Sequence, residues 1–377
     1  MIGVGIIGCG NISTAYLRLA PLFKGLEVRA VADMNMTAAQ ARSKEFGPRA
    51  LSVEDLLAAN DIDIVVNLTI PDAHFAVTKA ILKAGKHAYS EKPFVLTIEE
   101  GKELRDLAAK SGLRVGSAPD TFFGGAHQAA RAAIDSGRVG EITAGTAHVL
   151  SHGMEHWHPN PDFFFLPGGG PMLDLGPYYV TNLIQLIGPV KRVAALTSAA
   201  TPTRTISTPG PRRGDAIPVK TPTNIHALLE FFNGATITLS TSWDVWAHRH
   251  GNMELYGTEG SLFVPDPNWF SGRVDIAGRD GKIRELKQRA HPFAVPNMKS
   301  GDGVMRANYR TAGLAEMAQA IAHDRVHRCS LELALHAVEV MTAVLRSGDT
   351  GQFVSMTTTC ERPAALPASE ARKLLKK

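Results

Sequence analysis

Three groups of residues in this chain have the types and spacing that can do chemistry. The first is Gly8-Cys9-Gly10-Asn11-Ile12-Ser13, which follows the apolar run Ile2 to Ile7 and matches most of a G-x-G-x-x-G turn, with Ser13 where a third glycine or an alanine usually sits. Gly8 permits a tight turn out of a strand. Gly10, lacking a Cβ, lets the backbone come up against a pyrophosphate, which then meets the N–H groups and positive end of the following helix. With 35 glycines in 377 residues, a G-x-G alone is also compatible with an ordinary strand-to-helix turn. Asp33 decides between the readings. It ends a second apolar run, Leu26 to Ala32, about 20 residues further on, where a carboxylate accepts hydrogen bonds from an adenosine ribose. Gly8, Gly10, Asn11, Ile12 and Asp33 are therefore assigned to a dinucleotide cofactor.

The second group lies at later strand ends, and the elements that position it are legible from the pattern. To about residue 120, short apolar runs (Ile64 to Thr69, His87 to Ser90, Arg114 to Ser117) alternate with helix-like stretches (Ser13 to Phe23, Ala38 to Phe46, Ser52 to Ala59, Ala73 to Ala84, Ile98 to Ser111). That alternation implies parallel strands covered on both faces, and ligands in such sheets lie outside the carboxyl ends of the strands. The rule singles out Thr69 with His74, Glu91 with Lys92, and Asp120. The first four are assigned to the cofactor and Asp120 to the substrate.

Past residue 120 the pattern changes. Strands dominate, at Ile142 to Ser151, Val190 to Ala199, Asn224 to Phe232, Ala235 to Trp243, Met253 to Tyr256 and Ser261 to Val264, and Asn233-Gly234 marks a hairpin. Helices are expected at Gly125 to Ser136, Pro171 to Leu186, Arg306 to His323 and Ser330 to Ser347, and Pro202 to Pro222 as an exposed excursion. The fold class is α/β in residues 1–122, a dinucleotide-binding parallel sheet, followed in 123–377 by an α+β domain with an open, mostly antiparallel sheet. In Thr236 to Trp243 one face is apolar and the other carries Thr236, Thr238, Ser240 and Ser242. That free face is expected to pair with a second copy, making a homo-oligomer, a dimer or tetramer.

Composition excludes several classes. With 44% hydrophobic and 20% charged residues and no apolar run near the ~18 needed to span a bilayer, no membrane partner is expected. The formal charge of +4 is small and scattered, so no nucleic acid is expected either. Cys9, Cys329 and Cys360 have no metal spacing and form no paired framework, which fits a reducing compartment. A strand beginning at residue 2 leaves no room for a leader, and the expected location is cytoplasmic. His152, His156 and His158 match no standard ligand set, so no metal is assigned.

Ala84-Gly85-Lys86-His87 followed by Glu91-Lys92-Pro93, and the later Gly168-Gly169-Gly170-Pro171-Met172-Leu173-Asp174-Leu175-Gly176-Pro177-Tyr178, resemble the two signatures of the glucose-fructose oxidoreductase and inositol dehydrogenase (Gfo/Idh/MocA) family. Their order, spacing and domain pattern agree over residues 1 to 350. The resemblance implies an N-terminal Rossmann domain, a nicotinamide cofactor, and catalysis by Lys92 with Asp174. The family usually carries histidine where Tyr178 stands. Here Tyr178 is either an acid/base or a pocket wall, and Asp174 either a ligand-pocket residue or a helix cap. Trp157-His158-Pro159-Asn160-Pro161 and the Pro-Tyr-Tyr after Gly176 are similar to a subgroup that includes sugar and glycoside dehydrogenases, apiose among their substrates. On that likeness His156, Trp157 and His158, with Asp174 and Tyr178, are assigned to the substrate. Trp157 and Phe163 to Phe165 form either a platform for a sugar face or core.

The resulting expectation is an enzyme, an NAD-dependent dehydrogenase of a sugar or polyol, whether aldose, apiose-like, inositol or glycoside. Two rivals are a redox-assisted glycoside hydrolase or lyase, which regenerates its cofactor, and a sugar sensor without turnover. Asp33 repels a 2′-phosphate and Met34-Asn35-Met36 offers no arginine to hold one, so NAD is expected to be preferred over NADP. Steady-state kinetics with both cofactors check this: Asp33→Ala should narrow the gap, and equal efficiency in the wild type would refute the preference.

Overall fold

The computed structural model describes residues 1–288 and 290–376. The chain forms two compact units: Met1–Gly125, Arg289–Val338 and Pro363–Lys377 make one, and Ala126–Gln288 with Glu339–Arg362 make the other.

In the first unit the six strands β1 (Ile2–Ile7), β2 (Leu26–Ala32), β3 (Arg49–Leu51), β4 (Ile64–Asn67), β5 (His87–Ser90) and β6 (Val115–Ser117) form one sheet in the order β3-β2-β1-β4-β5-β6. Every pairing is parallel. Val4, Ile6, Val31, Ile64, Val65, Val66 and Tyr89 are fully buried, as a sheet covered on both faces requires. The intervening helices are α1 (Asn11–Leu19), α2 (Met36–Phe46), α3 (Val53–Ala58), α4 (Pro71–Lys83) and α5 (Ile98–Ser111). Local chemistry sets α5's ends: Thr97 and Glu100 form a reciprocal capping box, and Gly112 closes the helix at φ +65°. β3 went unread in the sequence because three half-exposed residues carry no periodicity. The strand order reverses at β1/β4, the crevice where such sheets bind ligands.

In the second unit, β7 (Ile142–Leu150), β8 (Val190–Ser198), β11 (Asn224–Phe231), β12 (Thr236–Ser242), β13 (Met253–Gly257), β14 (Gly260–Val264), β15 (Asp275–Gly278) and β16 (Ile283–Glu285) form a sheet ordered β16-β15-β14-β13-β7-β12-β11-β8, with Val354–Ser355 at the β8 edge. Only β7 and β12 run parallel. The Asn233-Gly234 hairpin forms, with Gly234 at φ +90°. The hydroxyl face differs from expectation. Ser240 and Ser242 are buried, Ser240 beneath His226, whose Nδ1 lies 3.0 Å from its Oγ. The exposed side chains of that face include Leu196 and Leu228.

Two further corrections concern the second unit. The helix expected over 171–186 is two, α7 (Gly170–Asp174) and α8 (Gly176–Ile187), after α6 (Gly125–Asp135). Residues 202–222 are more than an exposed excursion: most of their side chains are exposed, but β9 (Thr203–Thr205) and β10 (Ala216–Pro218) pair antiparallel, and Ile206 and Ile217 enter a core with Met154, Phe164, Phe165 and Trp243.

The chain then returns to the first unit, which no local periodicity announces. The helices α9 (Ala312–Ala322), α10 (Leu331–Thr350) and α11 (Ala368–Leu374) follow, α10 passing into the second unit after Val338. Residues 327–330 lie along β6: Ser117 N–H donates to the Cys329 carbonyl at 3.1 Å, and His327 Nε2 meets the Val115 carbonyl at 3.1 Å. That covers an otherwise bare sheet edge. Within α9 the fully buried Glu316 accepts from Arg328 at 2.8 Å and also pairs with Arg325, and Arg328 reaches the carbonyls of Ala364 and Ala365 at 3.0 Å, fastening the C-terminal segment.

Candidate active site

In the first unit the site grows from the turn between β1 and α1. Gly8 has φ +104°, and a Cβ there would lie 2.6 Å from the Leu68 carbonyl, so only glycine fits. At Gly10 a Cβ would meet nothing within 4 Å. No side chain caps α1, so its first N–H groups remain for a ligand. The open space over Gly10 and the uncapped helix end fit a dinucleotide pyrophosphate, with Asn11 and Ile12 in α1's first turn. Ser13 is buried and donates to the Gly10 carbonyl at 2.6 Å, which keeps the helix close.

Asp33 stands at the end of β2 as expected, and its carboxylate accepts from Cys9 N–H at 2.7 Å and Asn35 N–H at 2.8 Å. The carboxylate expected to meet a ribose is thus tied to the glycine turn. Burial, then the Asp33 charge, push the Cys9 thiol up to about 11, so it stays protonated at neutral pH. Arg42, which no motif indicated, donates to Ser13 Oγ at 3.0 Å and to the Gly10 carbonyl at 3.3 Å, bringing a cation to the turn.

The end of β4 is held by Asn67, whose Oδ1 accepts from Thr69 N–H and hydroxyl at 3.2 and 2.7 Å. His74 was assigned to the cofactor. It is buried, with Nδ1 2.7 Å from the Pro93 carbonyl and Nε2 3.1 Å from the Thr69 carbonyl. Burial holds its pKa below the ordinary value against the pull of those carbonyls. Its ring braces the turn that carries Lys92. Glu91 is likewise turned inward, accepting from Tyr16 hydroxyl at 2.9 Å and from Lys92 N–H at 2.9 Å. Lys92 is half-buried at the end of β5.

Asp120, expected at the substrate, has main-chain partners for one oxygen of its carboxylate. It is buried at the start of α9, accepting from Thr311 N–H at 3.0 Å and Gly313 N–H at 2.9 Å. Burial raises its pKa to about 6. Sequence adjacency could not reveal this partner, 191 residues away.

In the second unit the glycine run Gly168-Gly169-Gly170 has a steric reason. Gly168 and Gly170 have φ +87° and +85°, and a Cβ on Gly169 would lie 2.5 and 2.6 Å from the Phe163 and Phe164 carbonyl oxygens. Helix α7 can therefore start against the backbone of the preceding segment, and Asp174 ends it, half-buried. The chain turns at Leu175 into α8, where a Cβ on Gly176 would crowd the sulfurs of Met172 and Met341 at 3.0 and 3.1 Å. Tyr178 follows in the first turn of α8, buried. His156 and Trp157 are exposed, and His158, half-buried, packs edge-on to Trp157, Phe163 and Phe164 with centroids 5.3 to 5.6 Å apart. Phe164 and Phe165 belong to the core, whereas Phe163 and Trp157 are exposed, which leaves those two available as a platform. No group of three metal-ligating side chains occurs among the described residues, and no described helix is long and apolar enough to cross a membrane.

Residues 2–118 match the model of an oxidoreductase family with an NAD-binding Rossmann fold, and residues 127–263 match the GFO/IDH/MocA C-terminal domain. An uncharacterised oxidoreductase of Schizosaccharomyces pombe is 30% identical over 204 residues, 52% of this chain and 54% of that protein. The chain thus spans about half the length of that curated relative. The 1,5-anhydro-D-fructose reductase of Ensifer adhaerens is 25% identical over 367 residues, 94% of this chain and 98% of that protein. Among solved structures, levoglucosan dehydrogenase in its apo form shares the fold with a TM-score of 0.81 at 22% identity, covering 95% of this chain and 99% of that one.

The two glycines of the turn should separate by experiment. Gly8→Ala is expected to lower stability by roughly 2 kcal/mol or more through strain and the Leu68 clash. Gly10→Ala should melt as the wild type does yet lose dinucleotide affinity by tenfold or more, on the order of 1.4 kcal/mol. Thermal melts with nicotinamide titrations decide; undiminished affinity in Gly10→Ala would mean that the open space is not the cofactor's.

Proposed function

The chain belongs to the Gfo/Idh/MocA family of oxidoreductases, and on that premise we propose that it transfers hydride between a hydroxyl-bearing carbon of a sugar or polyol and NAD. The observation that carries this reading is the placement of Lys92: it leaves β5 held by Glu91 on one side and by the His74-braced Pro93 carbonyl on the other, in the unit whose uncapped glycine turn fits a dinucleotide. Two of the similar proteins bear names that point to anhydro sugars or their relatives, 1,5-anhydro-D-fructose reductase and levoglucosan dehydrogenase, which supports a cyclic polyhydroxyl substrate.

When bound, the nicotinamide supplies the hydride acceptor. Oxidation of the carbon then breaks its C–H bond and the hydroxyl O–H bond and forms C=O, so one proton must leave to a protein group. Lys92 serves as that group or, as a cation, steadies the developing oxyanion. Asp174 holds a substrate hydroxyl, and His156 and His158 with Trp157 present polar edges and a ring face to the sugar. Preference for NAD over NADP rests on Asp33. Arg42 brings a cation to the turn, and its guanidinium is engaged by Ser13 and Glu45.

A second copy is the proposed partner, docking on the sheet face that exposes Leu196 and Leu228. Light scattering at micromolar concentration should report a dimer or tetramer; a monomer would remove this part of the reading.

Tyr178 and Lys92 can be told apart as bases. The lysine signature is unaltered, whereas Tyr178 is the position that departs from the family pattern, so Lys92 is the expected base. Lys92→Ala and Lys92→Arg should both lose most of kcat with nicotinamide binding retained, because an arginine cannot accept the proton. Tyr178→Phe should mainly raise KM. Near-normal kcat in Lys92→Arg would exclude lysine, and a fall of roughly 10²-fold in kcat for Tyr178→Phe would transfer the role to tyrosine.

A further inference from the structure

The segment that carries His156, Trp157 and His158 has no regular secondary structure of its own apart from the short helical turn Asp162–Phe165. Trp157 N–H and His158 N–H donate to the Met154 carbonyl at 3.2 and 2.9 Å, and residues 203–220 fasten that turn from outside, in part with charge. Arg204 is the one inward-facing residue of β9, about 9% exposed. Its guanidinium donates to Glu155 Oε1 at 3.2 Å and to the Trp243 carbonyl at 3.1 Å, pairs with Asp244, and lies over the Phe165 ring at 5.7 Å. Asp244 is held in turn by the Thr223 hydroxyl at 2.7 Å.

The main chain repeats the connection. The Glu155 carbonyl accepts from Ser207 N–H at 2.9 Å, from Thr208 N–H at 3.1 Å and from the Thr208 hydroxyl at 2.9 Å, and that hydroxyl also lies 3.1 Å from the His158 carbonyl. One hydroxyl therefore spans both ends of the Glu155-His156-Trp157-His158 turn. Further along, Arg212 forks onto both oxygens of Asp162 at 2.5 and 2.9 Å, and Lys220 N–H donates to the Phe165 carbonyl at 2.8 Å.

A cluster of one cation and two carboxylates inside a core is expensive. Desolvation offsets much of its Coulomb attraction, and an apolar cluster of the same size would stabilise the fold at least as well. Glu155 Oε2 and Arg204 Nε have no hydrogen-bond partner, so the cluster is not optimised for stability. What it does provide is direction: it fixes Glu155, and with it the exposed residues that follow, relative to β12 and the β9–β10 hairpin.

We propose that residues 203–220 form a clip in which Arg204, Thr208 and Arg212 act as positioning residues for the His156–His158 segment, so that the clip sets affinity for the sugar and not the rate of hydride transfer. This rests on the functional reading above. Thr208 and Arg212 touch the segment only through its main chain and Asp162, so removing them loosens the turn without removing any group assigned to the substrate.

The test is steady-state kinetics of NADH formation on a panel of anhydro sugars, glycosides, aldoses and inositols, with nicotinamide affinity measured separately by fluorescence. Thr208→Val and Arg212→Met should each raise sugar KM by roughly five- to tenfold, the cost of one or two lost hydrogen bonds, with kcat and nicotinamide Kd within about twofold. Arg204→Met leaves two carboxylates unpaired and can fail to fold. Arg204→Lys, which keeps the charge and loses the fork, should fold and show the same KM-only defect. Folded Thr208→Val and Arg212→Met enzymes with unchanged sugar KM, whatever their melting temperatures, would show the clip to be structural only and overturn the proposal. Parallel falls in kcat would overturn it as well. A wild-type enzyme that binds nicotinamide but oxidises no sugar on the panel would instead overturn the functional reading, and the clip with it.

Discussion

A backbone with no room for a side chain governs the first unit. Gly8, at φ +104°, rests against the Leu68 carbonyl, which seats the turn after β1 on the end of β4. Much else in the unit is fastened to that contact. Asp33 closes on the same turn through Cys9 N–H, bringing the end of β2 to it. From the end of β4, His74 bridges the Thr69 and Pro93 carbonyls, and Pro93 follows the lysine. The glycine turn and the end of β5 are therefore linked by short contacts between side chains and main chain, which fixes the position of Lys92 relative to the turn.

How much of this could be read in advance follows from the range of each interaction. The limits of β1, β2, β5 and α5 were legible to the residue because short buried strands and the helix-like stretches between them are written in consecutive side chains. The glycine turn and the Asp33 spacing were legible for the same reason. The partners of Asp120, His74 and the 202–222 stretch were not. What these residues do depends on partners far along the chain: the amides that start α9, the carbonyl of Pro93, and Glu155. A proline-rich stretch looks exposed in a sequence because its hydrogen bonds go to another segment and leave no period. The return of residues 289–338 and 363–377 to the first unit was hidden likewise, since helix periodicity shows that a face is buried but not against what.

The second unit shows a different arrangement of cost and use. Nearly every residue of its helix α8 is buried. The segment with His156 and Trp157 is irregular and exposed at those two residues, although Met154, Phe164 and Phe165 on either side of them enter the core. Glu155, Arg204 and Asp244 bring charge into the neighbouring core, and the Thr208 hydroxyl closes the turn. A rigid scaffold that presents a variable segment in this way is a common route by which one fold accepts many substrates.

The central claim is that hydrogen leaves a sugar carbon as hydride and arrives on the nicotinamide. Mass spectrometry of the products formed from NAD and a carbon-deuterated sugar tests it most directly. The account predicts reduced nicotinamide one deuterium heavier, formed in equal amount to a keto sugar or lactone. Glycoside cleavage with no net reduced nicotinamide, or nicotinamide reduced without deuterium, would contradict it.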